Sequence, residues 1–218
     1  MARLTFRNVW VEYGDKVVLE KLDISIADGA FVSIVGPSGA GKSTLLRLAL
    51  GQEAPSRGVV ELDGEPLRAE PGPDRGVVFQ KYSVFPHMSA LENVMFGAEA
   101  KASWAGRLFG GRRRQARDAA AAMLARVGLG DSLSVYPREL SGGMQQRLAI
   151  AQALITHPSI LLLDEPFGAL DPGVRLDMHA LILELWREHG LTILMVTHDI
   201  KEAFKLGTRA LAFSRGKS

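Results

Sequence analysis

The sequence has no cysteine, no long apolar run and little net charge. Without cysteine the chain can form neither a disulfide nor a thiolate metal site. No apolar run approaches the roughly 18 residues that a membrane-spanning helix needs, so any role at a membrane depends on a partner. The first residues lack the apolar core and the cleavage site of a signal peptide. We therefore expect a cytoplasmic protein.

Charge is nearly balanced over the chain but is uneven along it. The 26 Lys and Arg residues against 24 Asp and Glu leave a formal net charge of +2, which gives no general sign of a nucleic-acid partner. The basic excess lies in one segment, which contains Arg107, Arg112, Arg113, Arg114 and Arg117. Such a segment is either a solvated surface or a contact for anionic lipid or an acidic partner, and the sequence leaves both open.

A glycine-rich stretch carries the strongest functional pattern. It consists of Gly36, Pro37, Ser38, Gly39, Ala40, Gly41, Lys42, Ser43 and Thr44. An apolar run precedes it and a leucine-rich segment follows, which predicts a strand, a tight loop and a helix. Glycines let successive N–H groups point inward, and the helix dipole adds positive charge there. We predict a triphosphate site in which Lys42 contacts the β and γ phosphates and Ser43 holds Mg2+.

Two later apolar runs end in residues that suit hydrolysis. The run at 160–163 ends in Asp164 and Glu165, which we expect to point to different faces because strand residues alternate. We expect Asp164 to support Mg2+ beside Ser43, and Glu165 to polarise the attacking water. His198 follows the run at 191–196, at the edge where doubly wound sheets bind ligands. It can hydrogen-bond the γ phosphate or the attacking water.

Two further candidates have an ordinary alternative. Tyr13 precedes a predicted turn, where its ring either stacks on a base or packs locally. Gln80 follows a predicted strand at 76–79. Its amide oxygen either coordinates Mg2+ and orients water or is simply a polar strand end.

The sequence changes character from residue 82 to about residue 136 and predicts a helical insert there, in which Ser89 begins a capping box. After the insert, Ser141, Gly142 and Gly143 precede a helical pattern, so a hydroxyl, free N–H groups and a helix dipole coincide. This is either a capped helix or a second phosphate receptor. If the two receptors lie close together, one monomer could use both; if they lie far apart, only a second copy brings them together.

Residues 36–44, 140–147, 161–165 and His198 together resemble the nucleotide-binding subunits of ATP-binding cassette (ABC) transporters, over essentially the whole chain. The fold expected is an α/β P-loop fold. A mainly parallel sheet core with an N-terminal antiparallel β layer takes residues 1–81 and 158–218, and a helical subdomain takes 82–157. The resemblance implies head-to-tail pairing, so that Ser141 and Gly143 of one subunit close on the ATP held by Lys42 of the other.

The resemblance also implies roles for single residues. Tyr13 is similar to the adenine-stacking aromatic, Glu165 to the general base and His198 to the switch histidine. Asp171 is similar to the loop aspartate that crosses the dimer. Residues just after Gln80, through 97, match the segment that receives the coupling helix of a membrane-spanning partner. Residues 104–114 are longer and more basic than this family leads us to expect.

Within the family, residues 144–147 resemble importers, and residues 72–80 and 167–171 are similar to the nitrate, sulfonate and taurine group. The implied function is ATP hydrolysis that powers import of a small solute through a separate permease. The implied cofactors are ATP and Mg2+, and the implied partners are a second cassette, the permease and a solute-binding protein, with no nucleic acid. The implied location is the cytoplasmic face of the membrane. The alternatives are an exporter subunit, a soluble ABC ATPase that binds nucleic acid or ribosomes, and a P-loop small-molecule kinase.

Overall fold

The computed structural model describes residues 2–79, 84–101 and 110–214. The strands are β1 (Ala2–Tyr13), β2 (Lys16–Ala27), β3 (Phe31–Val35), β4 (Arg57–Leu62), β5 (Glu65–Pro66), β6 (Arg75–Val78), β7 (Ile160–Asp164), β8 (Thr192–Val196) and β9 (Arg209–Ala212). The helices are α1 (Lys42–Leu50), α2 (Ala90–Lys101), α3 (Gly110–Arg126), α4 (Gly142–Leu154), α5 (Pro172–His189) and α6 (Ile200–Leu206). Short 3-10 turns lie at Gly130–Ser132 and Pro137–Glu139.

A parallel sheet forms the centre of the molecule, with strand order β6-β7-β8-β3-β9. Strands β7 and β8 are almost wholly apolar and buried, as expected where both faces of a parallel sheet are covered. All four strand pairings are parallel, so the carboxyl ends of β3, β7 and β8 meet at one edge. That edge is where open α/β sheets bind their ligands.

An antiparallel sheet, with order β2-β1-β4-β5, covers the glycine-rich loop. The predicted turn after Tyr13 is confirmed, since Tyr13 pairs with Lys16 across a two-residue turn in which Gly14 has a φ of 59°. The sheet contacts the loop closely at Gly41. A Cβ there would lie 2.6 Å from Leu19 Cδ2. Because Gly41 also has a φ of 89°, no other residue fits this position without strain.

The predicted helices of the insert are also present. Glu92 accepts hydrogen bonds of 2.8 Å from both the backbone N–H and the hydroxyl of Ser89, which closes the capping box and lowers the pKa of Glu92. Gly128, with a φ of 78°, follows the end of α3. The buried residues of α2, α3 and α4 join one apolar core with the β7 residues Leu161 and Leu163. Within the described ranges, no helix is long and apolar enough to cross a bilayer.

Candidate functional site

Three loops at the carboxyl edge of the parallel sheet build the candidate site. Residues 36–41 follow β3, Glu165 follows β7, and residues 197–199 follow β8. Strand β8 pairs with both β3 and β7, so its loop lies between the other two. The backbone also joins the loops, because the Glu165 N–H donates to Val196 O (2.9 Å) and the Thr197 N–H donates to Ile34 O (3.1 Å).

The glycine-rich loop and the start of α1 fit an anion. The Leu45 N–H donates to Gly41 O (2.9 Å), and the N–H groups of the three preceding residues have no acceptor inside the helix. The first turn of α1 contains no acidic residue of its own, so the helix dipole there favours negative charge. Gly39 has a φ of 81°, and its Cα faces open space. A phosphate group therefore meets free N–H donors, the positive end of a helix and room to enter.

Lys42 lies inside this loop. Its side chain folds back so that Nζ donates to Gly36 O (2.7 Å) and to Pro37 O (2.9 Å). The residue is only 7% exposed. An ammonium group has three hydrogens to donate, so one remains for an incoming phosphate oxygen. The loop thus holds a preorganised cation.

Ser43 and Asp164 meet across 121 residues of sequence, as expected for residues at one sheet edge. The Ser43 hydroxyl donates to Asp164 Oδ1 at 3.4 Å. Burial is the main cause that raises the pKa of Asp164, and the Glu165 carboxylate raises it further, whereas the hydrogen bond from Ser43 and the charge of Lys42 lower it. A bound cation would relieve this unfavourable burial of negative charge.

The donor set fits Mg2+ carried by a nucleotide. Within the part of the chain that the structure describes, no group of three or more His, Asp or Glu side chains could hold a metal ion. Mg2+ typically binds through one or two protein oxygens and completes its octahedron with phosphate oxygens and water. The Ser43 hydroxyl and the Asp164 carboxylate provide these protein oxygens.

The raised pKa of Asp164 predicts a stability change in Asp164→Asn. The ionised carboxylate destabilises the nucleotide-free fold at neutral pH, and this destabilisation disappears as the pH falls through the folded-state pKa. We expect the variant to melt at a higher temperature at neutral pH, with the gain shrinking in acid. Thermal unfolding without nucleotide, from pH 4 to pH 8, measures this. Asp177→Asn, at an exposed position, is the control; an equal gain there, or a gain that grows in acid, would contradict the prediction.

Glu165 and His198 lie beside each other. Glu165 Oε2 is 3.4 Å from His198 Nδ1, and the side chains are 24% and 64% exposed. Glu165 lies beyond the end of β7 and has a φ of 47°. The two neighbouring carboxylates therefore have different partners because the backbone turns at Glu165, rather than because strand residues alternate. A left-handed backbone at a residue other than glycine is strained, which is frequent at functional sites.

The Tyr13 hydroxyl is hydrogen-bonded to a side chain of α1. Its ring is 47% exposed, its hydroxyl donates to Glu53, and Arg47 donates to that hydroxyl (3.2 Å). Arg47 also donates to Glu53 (3.0 Å) and to the hydroxyl of Thr44 (3.0 Å). An exposed ring held beside α1, the helix that follows the glycine-rich loop, is suited to stacking on a base. Sequence reasoning missed Arg47 on α1 and Glu53 in the turn after it, because single charged residues carry no signal of their own.

Ser141 is the N-cap of α4. Its hydroxyl accepts a hydrogen bond from the Met144 N–H (3.3 Å), and Ser141 itself is exposed. Gly143 is buried, and a Cβ there would lie 2.5 Å from Cγ1 of Val174 in α5. The glycine thus allows α4 to approach α5 closely. Asp171, the N-cap of α5, is exposed and uses no side-chain oxygen to cap its own helix. The helix cap is present, and its use as a phosphate receptor stays a prediction.

Some predicted residues lie outside the described ranges. They are Gln80, Arg107 and the segment 104–109. The side chains of Arg113, Arg114 and Arg117 are exposed on α3, which suits both interpretations of the basic segment.

Comparisons with known proteins indicate the kind of site. A family model described as ABC transporter matches residues 19–168. An aliphatic sulfonates import ATP-binding protein of Paraburkholderia xenovorans is 47% identical over 212 residues, which are 97% of this chain but 57% of that protein. A nitrate import ATP-binding protein of Synechocystis sp. is 45% identical over 201 residues, which are 92% of this chain and 72% of that protein. The chain thus spans little more than half of the sulfonate relative.

A solved structure gives the same result for the fold. A dimeric structure of an ATP-binding cassette in a post-hydrolysis state, bound to ADP and Pi, matches with a TM-score of 0.82 and 33% sequence identity. The match covers 98% of this chain and 97% of the other. The predicted fold class is therefore confirmed.

Proposed function

Because this chain belongs to the ABC transporter family, we propose that it is the ATP-hydrolysing subunit of an importer for small solutes of the nitrate and sulfonate class. One observation carries the proposal: a single sheet edge gathers a caged lysine, a serine–aspartate pair and a glutamate–histidine pair. The importer and the solute class are supported by relatives named for sulfonate and nitrate import. Neither of the two relatives is named for export or for a function outside transport.

The geometry suggests how the residues divide the reaction. Lys42 and the N–H groups at the start of α1 bind and orient the β and γ phosphates. Ser43 and Asp164 would hold Mg2+, which, when bound, neutralises charge on the phosphate oxygens. Glu165 orients the attacking water and accepts its proton. His198 donates a hydrogen bond toward the γ phosphate, and Tyr13 stacks on the adenine.

We also propose that a second copy completes the site. Ser141 and Gly143 of one subunit would contact the ATP bound by its partner, and Asp171 would cross the interface. The exposure of Ser141 and Asp171 supports this arrangement, as does the dimeric state of the similar cassette. Gln80 would act on Mg2+ or on the attacking water.

The remaining partners follow from the same proposal. Residues 82–157 would form the helical subdomain, and residues after Gln80, through 97, would receive a membrane-spanning permease. A solute-binding protein would deliver the solute on the far side, and this subunit would lie at the cytoplasmic face. Arg113, Arg114 and Arg117 of α3 carry the positive charge needed to face anionic lipid.

Purification from membranes tests the proposal. We expect the tagged chain, extracted in mild detergent, to bring membrane-spanning permease subunits with it, and we expect uptake of a sulfonate or nitrate when these are reconstituted together. Bound RNA in place of permease would support the soluble alternative. ADP formation that depends strictly on an added acceptor would support the kinase alternative.

A further inference from the structure

We infer that His179 is a positioning residue that aligns His198 with Glu165, an inference that rests on the proposed function. His179 is buried in α5, with 5% of its surface exposed, and no sequence motif singles it out. Three features of its ring support the inference: a hydrogen bond to Glu202, an aromatic contact and a ring nitrogen without a hydrogen-bond partner in the described part of the chain.

The first support is a hydrogen-bond chain that ends on both sides of His198. His179 Nε2 lies 2.9 Å from Glu202 Oε1, and the other carboxylate oxygen accepts a hydrogen bond from the Thr197 hydroxyl. That hydroxyl in turn accepts from the Asp199 N–H (3.1 Å). Thr197 and Asp199 flank His198 in sequence. One buried carboxylate therefore fixes the backbone on both sides of the switch histidine.

The second support is a contact with the loop that follows Glu165. The rings of Phe167 and His179 lie edge to face, with their centroids 4.9 Å apart. Phe167 is 1% exposed, so its ring has little freedom to move. The Gly168 N–H donates to Glu165 O (3.3 Å), which ties this loop back to the catalytic carboxylate. His179 thus touches the loop after Glu165 directly and reaches the loop of His198 through Glu202.

The third support is the position of the hydrogen on the His179 ring. A carboxylate only accepts hydrogen bonds, so His179 Nε2 donates to the Glu202 oxygen that Thr197 does not contact. The other ring nitrogen, Nδ1, is buried and has no hydrogen-bond partner in the described part of the chain. In the tautomer that carries its proton on Nε2, Nδ1 has no hydrogen, so the ring leaves only one acceptor atom without a partner. A purely packing role would be filled equally well by an apolar side chain, without this unpaired atom.

The test compares His179→Leu with His179→Gln, since a glutamine amide can replace Nε2–H as a donor whereas leucine only fills the space. We expect His179→Leu to lower kcat for ATP hydrolysis about 10- to 100-fold with KM for ATP changed less than about twofold. His179→Gln should retain most of the wild-type kcat. Equal losses in both variants would overturn the inference. His189→Leu, an exposed histidine of the same helix, is the matched control.

A double-mutant cycle separates positioning from general damage. If His179 acts through His198, His179→Leu should lower kcat no further in a His198→Ala background. Multiplicative losses would overturn the inference. If His179→Leu does not fold, Thr197→Val decides, because it breaks the link to the His198 loop and leaves the pair of His179 and Glu202 in place. Thr197→Val with wild-type kcat would then overturn the inference.

A readout without turnover keeps this inference distinct from the proposed function. We expect the His198 ring resonances in the nuclear magnetic resonance spectrum to shift in His179→Leu and to return toward wild type in His179→Gln. A wild-type chain that hydrolyses no ATP would overturn the proposed function, whereas unchanged His198 resonances in His179→Leu would overturn the positioning role alone.

Discussion

Glu165→Gln is expected to lower the rate of ATP hydrolysis about 10²- to 10⁴-fold, the range that a general base contributes. The amide keeps the size of the side chain and can still meet His198, but it cannot take a proton from water. Because the phosphate contacts come from the loop and Lys42, we expect ATP affinity to change little. Turnover of labelled ATP and equilibrium binding of the same nucleotide, measured in one buffer, separate the two effects.

The control for this variant is Glu184→Gln, which removes an exposed carboxylate of α5 that pairs with Arg126. It should hydrolyse ATP at the wild-type rate. An unchanged rate in Glu165→Gln would refute the base assignment. Parallel losses of binding and hydrolysis would instead indicate that Glu165 holds the loops in place.

Sequence predicted most of the fold because each part of the pattern is local. The glycine-rich loop is one continuous stretch, and the turn after Tyr13 and the capping box at Ser89 each span a few residues. Even the contact between Ser43 and Asp164, which are distant in sequence, could be expected, since parallel strands place their carboxyl ends at one edge. Alternation between apolar strands and helices implies such a sheet.

Other features depend on how elements pack, which no local pattern reports. Strand alternation predicts that the side chains of Asp164 and Glu165 point to different faces. The backbone at Glu165 instead adopts the left-handed conformation, and this turn gives the two carboxylates different partners. His179 and Glu202 lie on different helices, and their pairing depends on how closely α5 and α6 pack. Gln80 lies outside the described residues, and the use of Ser141 by a partner subunit requires a second chain; both stay predictions.

Ser141→Arg is expected to remove ATP-dependent dimerisation and to lower hydrolysis about 100-fold or more, while the monomer still binds ATP. The hydroxyl caps α4 at an exposed position, so a large cation there disturbs a surface rather than the core. In the head-to-tail arrangement that surface faces the partner's phosphates, and loss of an electrostatic contact made in the transition state costs about 10²–10³ in rate. Light scattering with ATP and the Glu165→Gln substitution, which slows turnover, measures dimer formation.

Mixing two inactive chains decides whether the site is shared. In Lys42→Ala the phosphate loop is damaged and Ser141 is intact, whereas Ser141→Arg has the reverse defect. A mixed dimer that pairs the loop of one chain with the Ser141 of the other contains one undamaged site, so random pairing should restore up to about a quarter of wild-type turnover. If Ser141 instead served the nucleotide of its own chain, every chain in the mixture would be defective. The rate would then be no more than the sum of the two separate rates, and the shared-site proposal would fail.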